Sequence, residues 1–465
     1  MKQLREQTVL VLGLGETGLS LARWLSEQGA NVRIADSRNE PPGVVALRSE
    51  LPRADVRCGP FGDDLLQGVD RIAISPGVPV AEPLVQLAIE RGIPVEGDIE
   101  LLAQLLATND YRHNTRVIAI TGANGKTTVT SMVGEMCKAA GLDTQVAGNI
   151  SPAVLDALRG RKHQPQVWVL ELSSFQLETT STLDADAAVV LNVTEDHLDR
   201  YAGSMDAYAA AKARIFNGNG VQIVNRDDSR SAAMLIPGRS QVSFGLNAPL
   251  NRQDWGVARD GAETWLMQGP QKILRADELQ VSGMHNVANA LAALALCRSL
   301  GMPLQPLVQA LRTFRGLPHR VEKVAEVGGI TYYDDSKGTN VGATEAALKG
   351  LGKPAIVILG GDGKGQDFSP LKDAVAQHGR AAVLIGRDAP LIEKALQGCG
   401  KPVLKALDMD EAVKVATANA LPGDAVLMSP ACASFDMYRS YLHRAEVFIA
   451  AVKKLETEAA CSARH

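Results

Sequence analysis

The 465-residue chain carries 48 Lys and Arg against 52 Asp and Glu, a formal charge of −4, and this balance points to neither a nucleic acid nor an acidic membrane surface as partner. Hydrophobic residues make up 46% and aromatics only 4%, so the cores must be built from Ala, Val, Leu and Ile, as in parallel sheets clad by helices. The length suggests about three domains at roughly 150 residues each, and six scattered cysteines without a C-x-x-C pair or metal-ligand spacing fit a reducing cytoplasm.

No apolar run reaches membrane-spanning length, and Val9 to Leu14 is too short for a signal-peptide core. Thr8 to Leu14 reads as a strand, followed by Gly13-x-Gly15-x-x-Gly18, a helix from about Thr17 to Gln28 and a second strand ending at Asp36. This is the dinucleotide-binding spacing, with glycines that let a diphosphate approach the backbone and a carboxylate placed to reach a ribose or base. Taken alone it also suits an NAD-dependent oxidoreductase. The strand Arg71 to Ile74 runs into Ser75-Pro-Gly77-Val-Pro79, which is either a ligand loop or a simple connection. Glu96 to Leu106 reads as a helix, with a polar joint at 108–114 behind it and a first domain boundary near residue 102.

Val117 to Thr128 carries the strongest signal. An apolar β-favouring run leads into Gly122 and Gly125, and Lys126-Thr127-Thr128 open a helical run to Ala140. Strand, glycine turn and helix aim backbone N–H groups and the helix dipole at one spot, as a phosphate requires. Lys126 is placed to neutralise terminal phosphates, and the Thr127 hydroxyl to ligate Mg²⁺.

The strand Val167 to Leu170 delivers Glu171, a second oxygen ligand for a hard cation unless it is a surface carboxylate. The strand Ala188 to Leu191 leads to His197, which sits among polar residues and reads equally as a ligand or a surface group. Lys212, on a helix over 206–216, reads from pattern as a solvated lysine. Asn286 and Asn289 share a face at the start of an Ala/Leu-rich helix, where they either meet a nucleotide or cap the helix. Gly316 and Pro318 mark a hinge and the second boundary. Beyond it, strands at Thr331–Tyr333, Ala355–Leu359, Ala381–Ile385 and Ala425–Met428 bring polar residues to the carboxyl ends of a third parallel sheet, and Ser440 to Leu455 forms the last helix.

The ordered blocks G-L-G-x-T-G, T-G-A-N-G-K-T-T, G-N-I, E-L-S-S-F-Q-L-E, N-V-T-E-D-H-L-D-R-Y, H-N-x-x-N-A-L-A-A, G-L-P-H-R, D-D-S-K-G-T-N, G-G-D-G-K and S-P-A-C-A-S-F-D resemble the Mur ligases over nearly the whole chain. The resemblance implies three α/β domains: a Rossmann-like uridine-nucleotide domain over 1–102, a P-loop ATPase domain over 103–316 and a Rossmann-like amino-acid domain over 317–465. It implies a cytoplasmic enzyme of peptidoglycan precursor synthesis, expected to act as a monomer, that joins D-glutamate to UDP-N-acetylmuramoyl-L-alanine through an acyl phosphate while ATP is split. A relative adding another amino acid is the alternative.

By the same resemblance, Gly15, Thr17, Asp36, Ser37, Arg38, Ser75 and Gly77 take the uridine nucleotide, with Asn149 and Ser173 near the muramoyl group. ATP falls to Gly122, Asn124, Gly125, Lys126, Thr127 and Thr128, joined by Asn289, Arg320 and Asp335. Thr127, Glu171, His197 and Lys212 are implied around two Mg²⁺ ions, Lys212 at a position that the family carbamylates. Lys126, His197, Lys212 and Lys337 are implied as catalytic, and Lys337, Thr339, Lys364, Ser434, Phe435 and Tyr441 surround D-glutamate. Glu16, Ser151 and Tyr441 depart from residues found in relatives and are expected to tune contacts with uracil or glutamate.

Overall fold

The computed structural model describes residues 4–108, 114–281 and 283–462, so most of the polar joint expected at 108–114 lies outside the described residues. β1 (Thr8–Leu12), β2 (Asn31–Asp36), β3 (Asp55–Cys58), β4 (Arg71–Ile74) and β5 (Val95–Glu96) form a parallel sheet in the order β3-β2-β1-β4-β5. The central strands are apolar because helices cover both faces. Strand order reverses between β1 and β4, and Gly13 to Gly18 and Ser75 to Val78 flank that crevice, where open α/β sheets bind ligands. Gly18 is obligatory here: a Cβ would lie 1.8 Å from the Gly13 carbonyl oxygen.

The second sheet holds β6 (Arg116–Thr121), β7 (Thr144–Gly148), β8 (Val167–Glu171), β9 (Ala187–Val190), β10 (Val221–Asn225) and β11 (Gln241–Phe244). All are parallel, in the order β11-β10-β9-β6-β8-β7. β6 delivers the phosphate loop, and its two neighbours β8 and β9 deliver Glu171 and the segment holding His197. Helices Lys126–Ala139 and Met284–Ser299 pack together on one face, the second burying every residue from Ala290 to Cys297.

Three antiparallel strands, β12 (Trp255–Asp260), β13 (Glu263–Gln268) and β14 (Gln271–Arg275), extend this domain. The sequence reading gave them no place, although Asp260-Gly261 and Gly269-Pro270 are turn pairs between β-favouring runs.

The last sheet runs β15 (Glu322–Val327), β16 (Ile330–Asp334), β20 (Ala425–Met428), β17 (Ala355–Gly360), β18 (Gly379–Ile385) and β19 (Val403–Lys405), parallel except for β15.

Several expected limits shift. The helix expected from Glu96 begins at Asp98, because Val95–Glu96 pairs with β4 as an edge strand; it runs to Leu106, so residue 102 lies within it. The helix expected over 206–216 is Met205–Ala213 followed by a 3₁₀ turn, Arg214–Phe216, and the last helix spans Tyr441–Ser462. Among the described residues, no helix is long and apolar enough to cross a membrane.

Candidate active site

Gly125 takes φ 83° to turn the chain from β6 into helix Lys126–Ala139, and a Cβ there would lie 2.7 Å from Asn289 Oδ1. The loop is braced from β9: Asn124 N donates to Asn192 Oδ1 at 2.8 Å, Asn192 Nδ2 returns to the Asn124 carbonyl at 3.0 Å, and Asn124 Nδ2 reaches Thr194 Oγ1 at 3.2 Å. Lys126 Nζ bridges the carbonyls of Gly122 and Ala123 at 2.8 and 2.9 Å. Burial lowers its pKa, partly offset by Glu171 and Asp196.

Lys212 is no solvated lysine. It is 1% exposed, donates to the Gly122 carbonyl at 3.0 Å and lies 4.4 Å from the centre of the Tyr208 ring. Burial and the neighbouring Lys126 push its pKa well down, favouring a neutral amine. Its helix is packed against the phosphate loop, a tertiary contact that the alanines before it do not disclose.

Glu171 is likewise buried rather than on the surface. Its Oε1 accepts from Asn149 Nδ2 at 2.8 Å, while Oε2 is buried without a partner. His197, at φ 53° before a 3₁₀ turn, sets its ring edge-on to Phe175 at 5.3 Å, and burial lowers its pKa toward the neutral ligand form. The unpaired buried oxygen of Glu171 is the kind of ligand that a hard divalent cation such as Mg²⁺ takes.

The third domain reaches into this centre. Arg320 Nη2 donates to Thr127 Oγ1 at 2.9 Å, and Asn340 Nδ2 donates to Asn124 Oδ1 at 3.1 Å. His319, held by Asp334 at 2.7 Å through its ring and by Glu322 at 2.8 Å through its N–H, fixes the turn that aims Arg320. Burial pushes the Asp335 pKa up to about 7 despite a 2.6 Å bond from Ser429 Oγ, and pushes Lys337 down to about 8. Lys337 Nζ sits 3.9 Å from the centre of the Tyr441 ring.

Asn124, Asn289, Arg320, Asp335 and Lys337 line one cavity of about 190 Å³ together with His285, which sequence reasoning assigned no role. The His285 Nδ1 is buried without a partner, and burial drops its pKa to about 4. Gly283, not Asn286, occupies the helix N-cap, and Asn286 instead accepts from Asn289 at 3.2 Å, which removes the capping alternative. Thr339 and Lys364 share a second cleft with His197. Ser434 and Phe435 line neither cleft; Ser434 is buried and Phe435 is 75% exposed.

In the first domain Asp36 is engaged by its own chain. It accepts from Leu14 N at 2.7 Å and from Arg38 Nε and Nη2 at 2.8 and 2.7 Å. Burial alone would raise its pKa, yet these donors hold it at about 2. The carboxylate therefore organises the glycine loop and presents the half-exposed Arg38. Gly15 caps the helix after β1 and Thr17 lies in its first turn, Ser75 and Gly77 lie in the loop after β4 on the other side of the crevice, and Ser37 follows β2. Ser173 N-caps helix Ser174–Glu178 in a capping box with Gln176. Two of the departures from relatives meet: Ser151 Oγ donates to Glu16 Oε1 at 2.9 Å across the two domains. Another missed residue is Arg444, fully buried without a carboxylate, which donates to Ser336 Oγ and to the Ser336 and Cys432 carbonyls.

Fold and site together define an α/β protein of three mainly parallel sheets and one small antiparallel one, organised on a phosphate loop with a third-domain arginine on that loop. The Mur ligase MurD-like N-terminal domain matches residues 7–97, the Mur ligase middle domain 120–297 and the Mur ligase glutamate ligase domain 319–432. The chain is 60% identical over 458 residues to the UDP-N-acetylmuramoylalanine–D-glutamate ligase of Nitrosospira multiformis, covering 97% of this chain and 96% of the relative. It is 56% identical to the enzyme of the same name from Nitrosomonas europaea, covering 96% of each. In fold it is similar to the MurF ligase of Thermotoga maritima in complex with ADP, with TM-score 0.60 and 18% identity over 98% of this chain and 97% of that one. The chain belongs to the Mur ligase family, and the oxidoreductase reading of Gly13 to Gly18 is set aside.

Proposed function

We propose that the chain is an ATP-dependent, ADP-forming ligase that adds D-glutamate to UDP-N-acetylmuramoyl-L-alanine, a cytoplasmic step of peptidoglycan precursor synthesis. The observation that carries this reading is the 60% identity, over 97% of the chain, to a relative of that name. The geometry supports it, because amide formation from a carboxylate needs the acid activated first.

In this reading the sugar-nucleotide carboxylate attacks the γ-phosphorus of ATP. A carboxyl–phosphate bond forms and the bond to ADP breaks. Gly122 to Thr128 cradle the phosphates while Lys126 and Arg320 spread the charge on the moving group, which is positioning and electrostatics more than covalent chemistry. The neutral amine of D-glutamate, held among Lys337, Thr339, Lys364 and Tyr441, then forms the C–N bond as phosphate departs. Thr127, Glu171 and His197, with Lys212 as a carbamate, would hold the two Mg²⁺ ions, which when bound neutralise phosphate oxygens. Asn289 and Asp335 face the nucleotide, and Arg38 with the Gly15 and Ser75 loops faces the uridine end. Closure of the third domain about Gly316 to Arg320 excludes water that would hydrolyse the acyl phosphate.

The test is phosphate release with ATP, Mg²⁺ and UDP-N-acetylmuramoyl-L-alanine, run separately with D-glutamate, L-glutamate, lysine and diaminopimelate. Release with D-glutamate alone is the result expected. Release with lysine or diaminopimelate and none with D-glutamate overturns the substrate assignment.

A further inference from the structure

Arg200 follows the metal-ligand candidate His197 by one 3₁₀ turn, Leu198–Tyr201, yet its side chain leaves the central domain. Nη1 donates to the Pro76 carbonyl at 3.1 Å and Nη2 to the Val78 carbonyl at 3.2 Å, both in the first domain's loop after β4. Nε and Nη2 also meet the two oxygens of Glu178 at 3.3 and 2.7 Å. The guanidinium is only 9% exposed and lies 4.4 Å from the centre of the Phe175 ring. Phe175 in turn carries the edge-on His197 ring at 5.3 Å.

One planar cation thus joins three parts: the loop beside the first-domain crevice, helix Ser174–Glu178, and the turn that sets His197. The loop it holds also fixes the glycine turn, since a Cβ on Gly13 would stand 3.0 Å from both Ser75 Cβ and Val78 Cγ2. A lysine has no planar fork and cannot span two carbonyls and a carboxylate at once. We propose that Arg200 is a positioning residue that sets the span between the first-domain nucleotide crevice and the phosphate centre, so that a substrate anchored at one end presents its carboxylate at the other. This rests on the ligase reading above, in which one substrate bridges both places.

The fragments that such a substrate combines separate this role from a structural one. UDP alone probes the first domain, a non-hydrolysable ATP analogue alone probes the phosphate loop, and turnover requires the correct span. For Arg200→Lys and Arg200→Ala we expect both fragment affinities to stay within about twofold of wild type, while kcat falls at least about tenfold, because misplacement by an ångström can cost about a hundredfold. A kcat within twofold of wild type overturns the proposal, as does a parallel loss of both fragment affinities and of thermal stability.

A second measurement stands without the ligase reading. In a Cys58→Ser/Cys461→Ser background, spin labels at the exposed positions Val45 and Leu250 report the distance between the two domains. The distribution should be narrow with Arg200 and broader in Arg200→Lys, and equal widths overturn the proposal. Absence of phosphate release by the wild-type enzyme instead counts against the ligase reading, with the distance measurement still deciding the role of Arg200.

Discussion

Arg320 and Thr127 stand 193 residues apart in sequence, yet the guanidinium of the first donates to the hydroxyl of the second at 2.9 Å. A third-domain charge is thereby placed on the first turn of the phosphate-loop helix. Arg320 is partly buried and desolvation lowers its pKa, with Asp335 and Glu171 partly offsetting this, so the charge is partly screened from water where it acts more strongly on a phosphate. Arg320→Lys keeps the charge but not the fork. Its kcat should fall by about 10²-fold or more, with a smaller change in the KM for ATP. Steady-state phosphate release decides this, and a kcat within threefold of wild type would remove Arg320 from the transition state.

Glu171 has one oxygen tied to Asn149 and the other buried without a partner. Glu171→Gln keeps the first contact and removes the anion. The apo protein should melt at about the wild-type temperature, while the stabilisation given by ATP with Mg²⁺ over ATP with EDTA disappears and turnover drops about 10²-fold. Thermal shift titrations read the linkage directly; a retained Mg²⁺-dependent shift means that the cation sits elsewhere.

The phosphate loop and Glu171 were legible because their chemistry is local: Gly, Lys and Thr at fixed offsets, and a carboxylate at the end of an apolar strand. Lys212 was not, because its burial arises from packing on the Gly122 carbonyl, ninety residues away in sequence. Asp36 was placed correctly at a strand end, but spacing cannot show that Leu14 N–H and Arg38 donate to its oxygens. The antiparallel strands β12 to β14 were passed over because their pattern is interrupted by charged residues, although the turn pairs between them were present to be read.

A neutral amine is the form that adds CO₂, and burial together with the neighbouring Lys126 lowers the Lys212 pKa in that direction. Lys212→Ala should lose most activity and regain part of it with added formate or acetate, which supply the missing anion. Wild-type protein in ¹³C-bicarbonate should show a carbamate carbon signal that Lys212→Ala lacks. If neither rescue nor signal is found, the lysine acts only as a hydrogen-bond donor to the Gly122 carbonyl.

Asp98, at the start of helix Asp98–Leu106, is buried, with long side-chain contacts of 3.4 and 3.5 Å from Gln176 Nε2 and backbone N–H groups of the helix start beside it. Burial raises its pKa from 3.8 to about 6. A carboxyl whose folded pKa is raised contributes stability that is full below about 3.8 and is lost as pH rises through about 6. Asp98→Asn cannot ionise, so its stability relative to wild type should grow by about 3 kcal/mol between pH 4 and pH 7. Urea midpoints across that range check the slope, and a flat difference means that Asp98 ionises without cost.

Asn340 performs two tasks that substitution can separate. Its Oδ1 accepts from Ala343 N at 2.9 Å, capping helix Val341–Gly350, while its Nδ2 donates to Asn124 Oδ1 of the phosphate loop at 3.1 Å. Asp at this position retains the cap and suits the positive end of the helix, but it has no N–H to offer Asn124 and sets two oxygens against each other. Asn340→Asp should therefore melt within a degree or two of wild type, whereas Asn340→Ala loses about 1 kcal/mol with the cap. Both should slow turnover about tenfold if the contact holds the third domain over the nucleotide, and both should reduce the compaction seen by small-angle scattering with an ATP analogue and sugar nucleotide present. If only Asn340→Ala is slow, the cap is what matters, and the bond to Asn124 is a by-product of closure brought about by Arg320.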